Sequence, residues 1–100
     1  MLVFQMRNVD KTSTEITEFT CSIQGDEVTG YYEIVGDNFD HATLVIKTEN
    51  DDEIYRQDYY ALKRNISFNM SDYDEGFYIA ILSAYNTDGT SPYGSVNIFK

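Results

Sequence analysis

In an extended chain, alternate side chains point to opposite faces, and from Tyr78 to Ala84 one face reads Tyr78, Ala80, Leu82, Ala84. A run with that period buries one face of a sheet. The same period recurs along nearly the whole chain. Phe19, Cys21 and Ile23 alternate with Thr20, Ser22 and Gln24. Val28, Tyr32 and Ile34 form the next set, with Gly30 between them. Leu44 and Ile46 follow, then Ile66, Phe68 and Met70, and last Val96 and Ile98. Between these runs lie QGDE, GDNFDH, ENDD, SDYDEG and NTDGTSP, which are rich in turn-forming residues. Strands punctuated by turns every ~8–12 residues predict a sandwich or barrel. No segment carries a 3.6-residue stripe, so the expected class is all-β. Residues 52 to 65 admit a short edge strand from Ile54 to Tyr59 and a single helical turn near Tyr60 to Lys63.

The pattern Tyr78-x-Ala80-x-Leu82-x-Ala84-x-Asn86-x-x-Gly89-x-Ser91 resembles the penultimate strand and following hairpin of fibronectin type III and related immunoglobulin-like domains. The resemblance implies an antiparallel immunoglobulin-like sandwich of about seven strands over residues 15 to 99. Ala80 and Ala84 leave room for an opposing sheet ~10 Å away. A buried Tyr78 needs a partner for its hydroxyl, and a backbone group near Ser71 to Glu75 would provide one, as in a tyrosine corner. Asp88-Gly89 supplies a positive-φ turn, and Pro92 blunts the edge of the last strand. The chain departs from the family in having no Trp. Tyr31 or Tyr32 is the nearest substitute for the core Trp of the second strand. A jelly roll or small barrel is the alternative architecture.

Residues 1 to 14 read as an extra piece ahead of the sandwich at 15 to 100. Leu2, Phe4 and Met6 alternate with Val3, Gln5 and Arg7, which suits a short strand. That strand either pairs with its own sheet or lies on a partner as an arm.

A chain of 100 residues, 42% hydrophobic and 15% aromatic, suffices for one domain with a core. It has no run of ~18 apolar residues, so no membrane span is expected. The opening MLVFQMRNVDK lacks the basic start, apolar run and cleavage site of a secretion signal. The expectation is therefore a protein that stays where it is made. The net charge is −10 with seven Lys and Arg in all, which disfavours direct binding to nucleic acid or anionic membrane. The acidity either keeps the protein dispersed or imitates a nucleic acid before a basic cleft.

Catalytic chemistry finds little support. His41 lies in DNFDHATL without a serine in a nucleophile-elbow context, and reads as a loop histidine. Cys21 sits on an apolar face and is the one cysteine, so no internal disulfide or Cys-based zinc site is available. The acidic groups around Asp26, Asp51 and Asp72 lack a complete calcium loop and read as solvated turns. No enzyme activity, cofactor or metal is expected.

The nine tyrosines are the remaining signal. Tyr31-Tyr32 and Tyr59-Tyr60 are adjacent pairs, so each puts one ring outward in a strand. Tyrosine buries much area at small entropy cost and is favoured in interfaces. The expected partner surface is Leu2, Phe4 and Met6 together with Tyr31, Tyr55, Tyr59, Tyr85 and Tyr93. Free-standing modules of this likeness occur as small virion proteins of tailed bacteriophages. The resemblance thus implies a structural protein made in the host cytoplasm and attached in many copies to a capsid or tail lattice. Two other readings stand beside it: an acidic inhibitor that mimics nucleic acid, and a secreted carbohydrate-binding or adhesion module.

Overall fold

A computed structural model describes residues 14–100, so the expected strand at Leu2, Phe4 and Met6 lies outside the described residues. The described chain is an antiparallel immunoglobulin-like β-sandwich. Its seven strands are β1 (Glu15–Gln24), β2 (Glu27–Val35), β3 (Phe39–Thr48), β4 (Glu53–Tyr59), β5 (Lys63–Asn69), β6 (Phe77–Asn86) and β7 (Tyr93–Phe99). One sheet has the order β1-β2-β5 and the other β4-β3-β6-β7. On one side of the sandwich β1 lies against β7. On the other side β4 and β5 are both edge strands, in different sheets.

The period-two residues form the core. Val28, Tyr32, Ile34 and Ile66 of the first sheet face Ala42, Leu44, Ile46, Ala80, Leu82, Ala84 and Ile98 of the second, all buried. Full burial of a side chain such as Leu44 or Leu82 contributes about 1.5–3 kcal/mol. Tyr32 takes the central position and is fully buried, while Tyr31 points outward. The Tyr32 hydroxyl donates to the carbonyl of Ala61 at 2.6 Å.

Three local devices hold the strands in register. The Tyr78 hydroxyl donates to the carbonyl of Asp74 at 2.6 Å, so the expected tyrosine corner is present. Gly89 has a φ of 91° and makes the β6–β7 turn, and the Pro92 carbonyl accepts from the amide of Ala84 at 2.8 Å. Gly30 pairs opposite Cys21. A Cβ there would stand 2.3 Å from the Thr20 carbonyl oxygen, so no larger residue fits without moving β1. At the base, the nearly buried Lys100 ammonium donates to the carbonyls of Met70 and Tyr73 and pairs with Asp26 at 3.3 Å.

Two local expectations are corrected. Residues 60 to 62 link β4 to β5 with a bend at 61 and 62 and not a helical turn, because the chain must cross from one sheet to the other in three residues. His41 is not in a loop. It lies within β3, opposite Tyr85 of β6.

Two substitutions separate these devices. Tyr78→Phe removes one buried hydrogen bond and is expected to cost about 1–3 kcal/mol in urea unfolding, with the fold retained. Gly30→Ala is expected to cost about 1–3 kcal/mol through the displaced β1 backbone. Stability equal to the parent in the second variant would show that β1 yields freely.

Candidate functional site

The open side of the sandwich forms a cleft. β4 pairs only with β3 and β5 only with β2, so the facing edges of β4 and β5 have no strand between them. Tyr55, Gln57 and Tyr59 stand opposite Ile46, Leu44 and Ala42 in the β3–β4 ladder, which turns them toward the sandwich interior. On the other wall Arg64 stands opposite Tyr32. Tyr60 and Ala61 close one end, and the cleft so lined has a volume of about 560 Å³.

Its aromatic floor is well packed. The Tyr55 ring lies on Phe68 with centroids 4.0 Å apart, and Tyr59 lies 5.9 Å from Tyr32. The Arg64 guanidinium sits over the Tyr59 ring, 4.9 Å from its centroid. Tyr59 is itself only 7% exposed, whereas Tyr60 at the rim is 73% exposed. Burial, reinforced by the Tyr55 hydroxyl, pushes the Tyr59 phenol well above its ordinary pKa. Burial also raises Tyr32, while the Arg64 charge opposes that rise. Asp58 lines the cleft, yet its carboxylate accepts from the Thr43 hydroxyl at 2.8 Å.

A second surface is the outer face of the four-stranded sheet. Val45, Ile79 and Ile81 lie there, on the face opposite Leu44, Ala80 and Leu82. Phe77 and Phe99 pair across β6 and β7 with ring centroids 5.3 Å apart. Tyr93 and Phe99 are 73% and 67% exposed. Tyr85 stacks on His41 at 4.8 Å, and His41 Nδ1 lies 2.7 Å from an Asp40 carboxylate oxygen.

The sequence-predicted tyrosines therefore divide among three surfaces. Tyr55 and Tyr59 meet in the cleft, and Tyr85 and Tyr93 share the outer face of the larger sheet. Tyr31 stands apart on the smaller sheet, where its hydroxyl donates to Glu33 at 2.8 Å and the accepting carboxylate raises its pKa. Leu2, Phe4 and Met6 lie outside the described residues. Tyr60 and Arg64 were not singled out from the sequence. The alternation argument requires one outward ring of the Tyr59–Tyr60 pair, but only the register of Tyr59 against Ala42 says which. Cys21 is buried, and burial pushes its thiol up to about 11. Among the described residues no three His, Cys, Asp or Glu side chains converge as a metal site would require.

A family model for "ErmC: 23S rRNA methylastransferase leader peptide (ErmCL)" matches residues 1–17, a stretch that ends just inside β1. No curated protein matches the chain. Among solved structures, a DUF3823 family protein from Bacteroides ovatus is similar in fold, with a TM-score of 0.70 at 9% identity. The likeness covers 89% of this chain and 55% of that one, so the chain spans about half the length of its structural neighbour. It supports the sandwich fold alone.

The raised phenols give a pH dependence. Tyr32 and Tyr59 hold their protons more tightly when folded than the ordinary value of about 10 allows in the unfolded chain. Their contribution is present in full below about pH 10 and is lost as pH rises above it. Alkaline titration followed by tyrosinate absorbance and circular dichroism is expected to show two tyrosines ionising only as the fold is lost. Ionisation of all nine tyrosines in a still-folded chain would contradict the burial argument.

Proposed function

We propose that this chain is a non-enzymatic attachment module that binds a larger protein assembly in many copies, as small virion proteins of tailed bacteriophages do. The observation that carries the reading is the outer face of the four-stranded sheet. A sheet that meets water on one side usually alternates apolar-in with polar-out. Here the nearly buried Val45 and the half-buried Ile79 and Ile81 are apolar on the outward face too, and Tyr93 and Phe99 stand exposed at the two ends of β7 on that face, with Ser95 and Asn97 between them. Apolar residues gathered on a solvent-facing sheet face mark an interaction surface. Aromatic anchors are the residue type that dominates binding energy in protein interfaces. The net negative charge then keeps the particles dispersed.

The arm reading for Leu2, Phe4 and Met6 is a separate element of this proposal. It falls on the stretch that matches the leader-peptide model, so it needs its own variant.

The test places a photo-activatable cross-linker at Tyr93 and, separately, at Phe99 in the source cells. Both positions are expected to link to the same multi-copy structural protein, at physiological and at high salt, and Ile81→Glu is expected to abolish the link without unfolding the domain. Deletion of residues 1 to 8 is expected to lower occupancy on the assembly; full occupancy would remove the arm from the account. A link to one nucleic-acid enzyme that vanishes with added salt would replace attachment by nucleic-acid mimicry, since screening weakens exposed charge pairs and spares apolar contacts.

A further inference from the structure

We propose that the cleft between β4 and β5 binds a short acidic saccharide, with Arg64 as the carboxylate-binding residue. The proposal stands independently of the outer-face attachment.

The charge pattern is the first support. In a chain of net charge −10, basic side chains find carboxylates easily. Lys47 pairs with Asp51 at 3.0 Å, Arg56 with Glu53 at 2.8 Å, Lys63 with Glu33 at 4.0 Å and Lys100 with Asp26 at 3.3 Å. Among the described residues Arg64 is the one Lys or Arg that forms no ion pair. It is held instead by the face of Tyr59. Arg56 shows the contrast, since Glu53 takes its guanidinium through two hydrogen bonds of 2.9 and 2.8 Å. The Arg64 fork remains available, and a planar guanidinium matches a carboxylate bidentately. The nearest acid on the cleft wall, Asp58, is occupied by Thr43, so its charge is turned from the opening.

The lining is the second support. A volume of about 560 Å³ falls within the ~300–1,000 Å³ of small-ligand sites. Aromatic faces accept the apolar face of a sugar ring, and Tyr60 presents such a face at the rim. The side-chain amide of Gln57, an exposed residue lining the cleft, donates to the Asp58 carbonyl at 3.1 Å and keeps its oxygen and second N–H for ring hydroxyls. A carboxylate-bearing sugar uses all three features together.

An extended peptide is the competing occupant, because both cleft walls are strand edges. The charged Arg56, Asp58 and Lys63 along those edges are of the kind that discourage strand addition.

The experiment is an amide chemical-shift titration of the full chain with digalacturonate, with a β-glucuronic acid disaccharide, and with neutral galactobiose. An acidic disaccharide is expected to shift resonances within residues 55 to 67, saturating near about 1 mM. Galactobiose is expected to bind at least about tenfold more weakly, the loss of one charge-assisted contact. Arg64→Gln is expected to erase the difference between acidic and neutral sugar, and Tyr60→Ala to weaken both, with urea midpoints confirming that each variant is folded. The proposal is overturned if neither acidic disaccharide shifts the cleft at about 10 mM. It is equally overturned if inorganic phosphate binds as tightly as the sugars, or if an acidic peptide binds there in their place.

Discussion

Tyr32 is the interaction on which the rest of the sandwich depends. Its ring fills the centre of the core, with no solvent exposure, where related domains of the resembled family carry a tryptophan. A tyrosine in that place must satisfy a hydroxyl, because an unpartnered buried polar group costs about 1–3 kcal/mol, about twice what its hydrogen bond contributes. The Ala61 carbonyl satisfies it at 2.6 Å. Ala61 lies in the crossing between β4 and β5, so the core residue fixes the segment that changes sheets. The next carbonyl, that of Leu62, accepts from the Ile34 amide at 2.8 Å and joins the crossing to the end of β2. Packing, hydrogen bonding and topology meet at one side chain.

The open cleft follows from that crossing. Because β5 joins the β1-β2 sheet and β4 stays with β3, two consecutive strands end as facing edges. Their inward residues are aromatic at the floor and polar at the rim, since only the floor is covered by the opposite sheet. The other side of the sandwich has no such opening, as β1 lies against β7. At the base, the Tyr78–Asp74 contact and the Lys100 ammonium close the loop that precedes β6. The molecule thus separates a sealed half from an open one, and the most exposed aromatic side chains, Tyr60, Tyr85, Tyr93 and Phe99, stand at the cleft rim and on the outer face of the larger sheet.

Much of this is written locally. Period-two runs mark six of the seven strands, because alternation is a property of neighbouring residues, while the edge strand β4 shows in the sequence only as one of two readings. The Tyr78 corner and the Asp88-Gly89 turn follow from chemistry within a few residues. The cleft is different. Whether Tyr59 or Tyr60 points inward is set by the pairing of Tyr59 with Ala42, seventeen positions away. Arg64 becomes notable only when the partners of Lys47, Arg56, Lys63 and Lys100 are known. Glu33–Lys63 crosses the β2–β5 ladder within one sheet, between residues thirty positions apart, while Asp26–Lys100 joins residues still farther apart in the chain. His41 misleads for a similar reason. Its acidic, turn-like neighbours suggest a loop, while its place is fixed by the ladder to Tyr85. Charge bookkeeping and face assignment are tertiary facts.

The most direct test of this account is amide hydrogen exchange at Ile34 in the parent and in Tyr32→Phe. If the Tyr32 hydroxyl anchors the crossing, the variant stays folded and Ile34 exchanges about tenfold faster, the equivalent of one lost hydrogen bond. An unchanged Ile34 rate would mean that the crossing holds without the core tyrosine, and that the cleft owes its shape to something else.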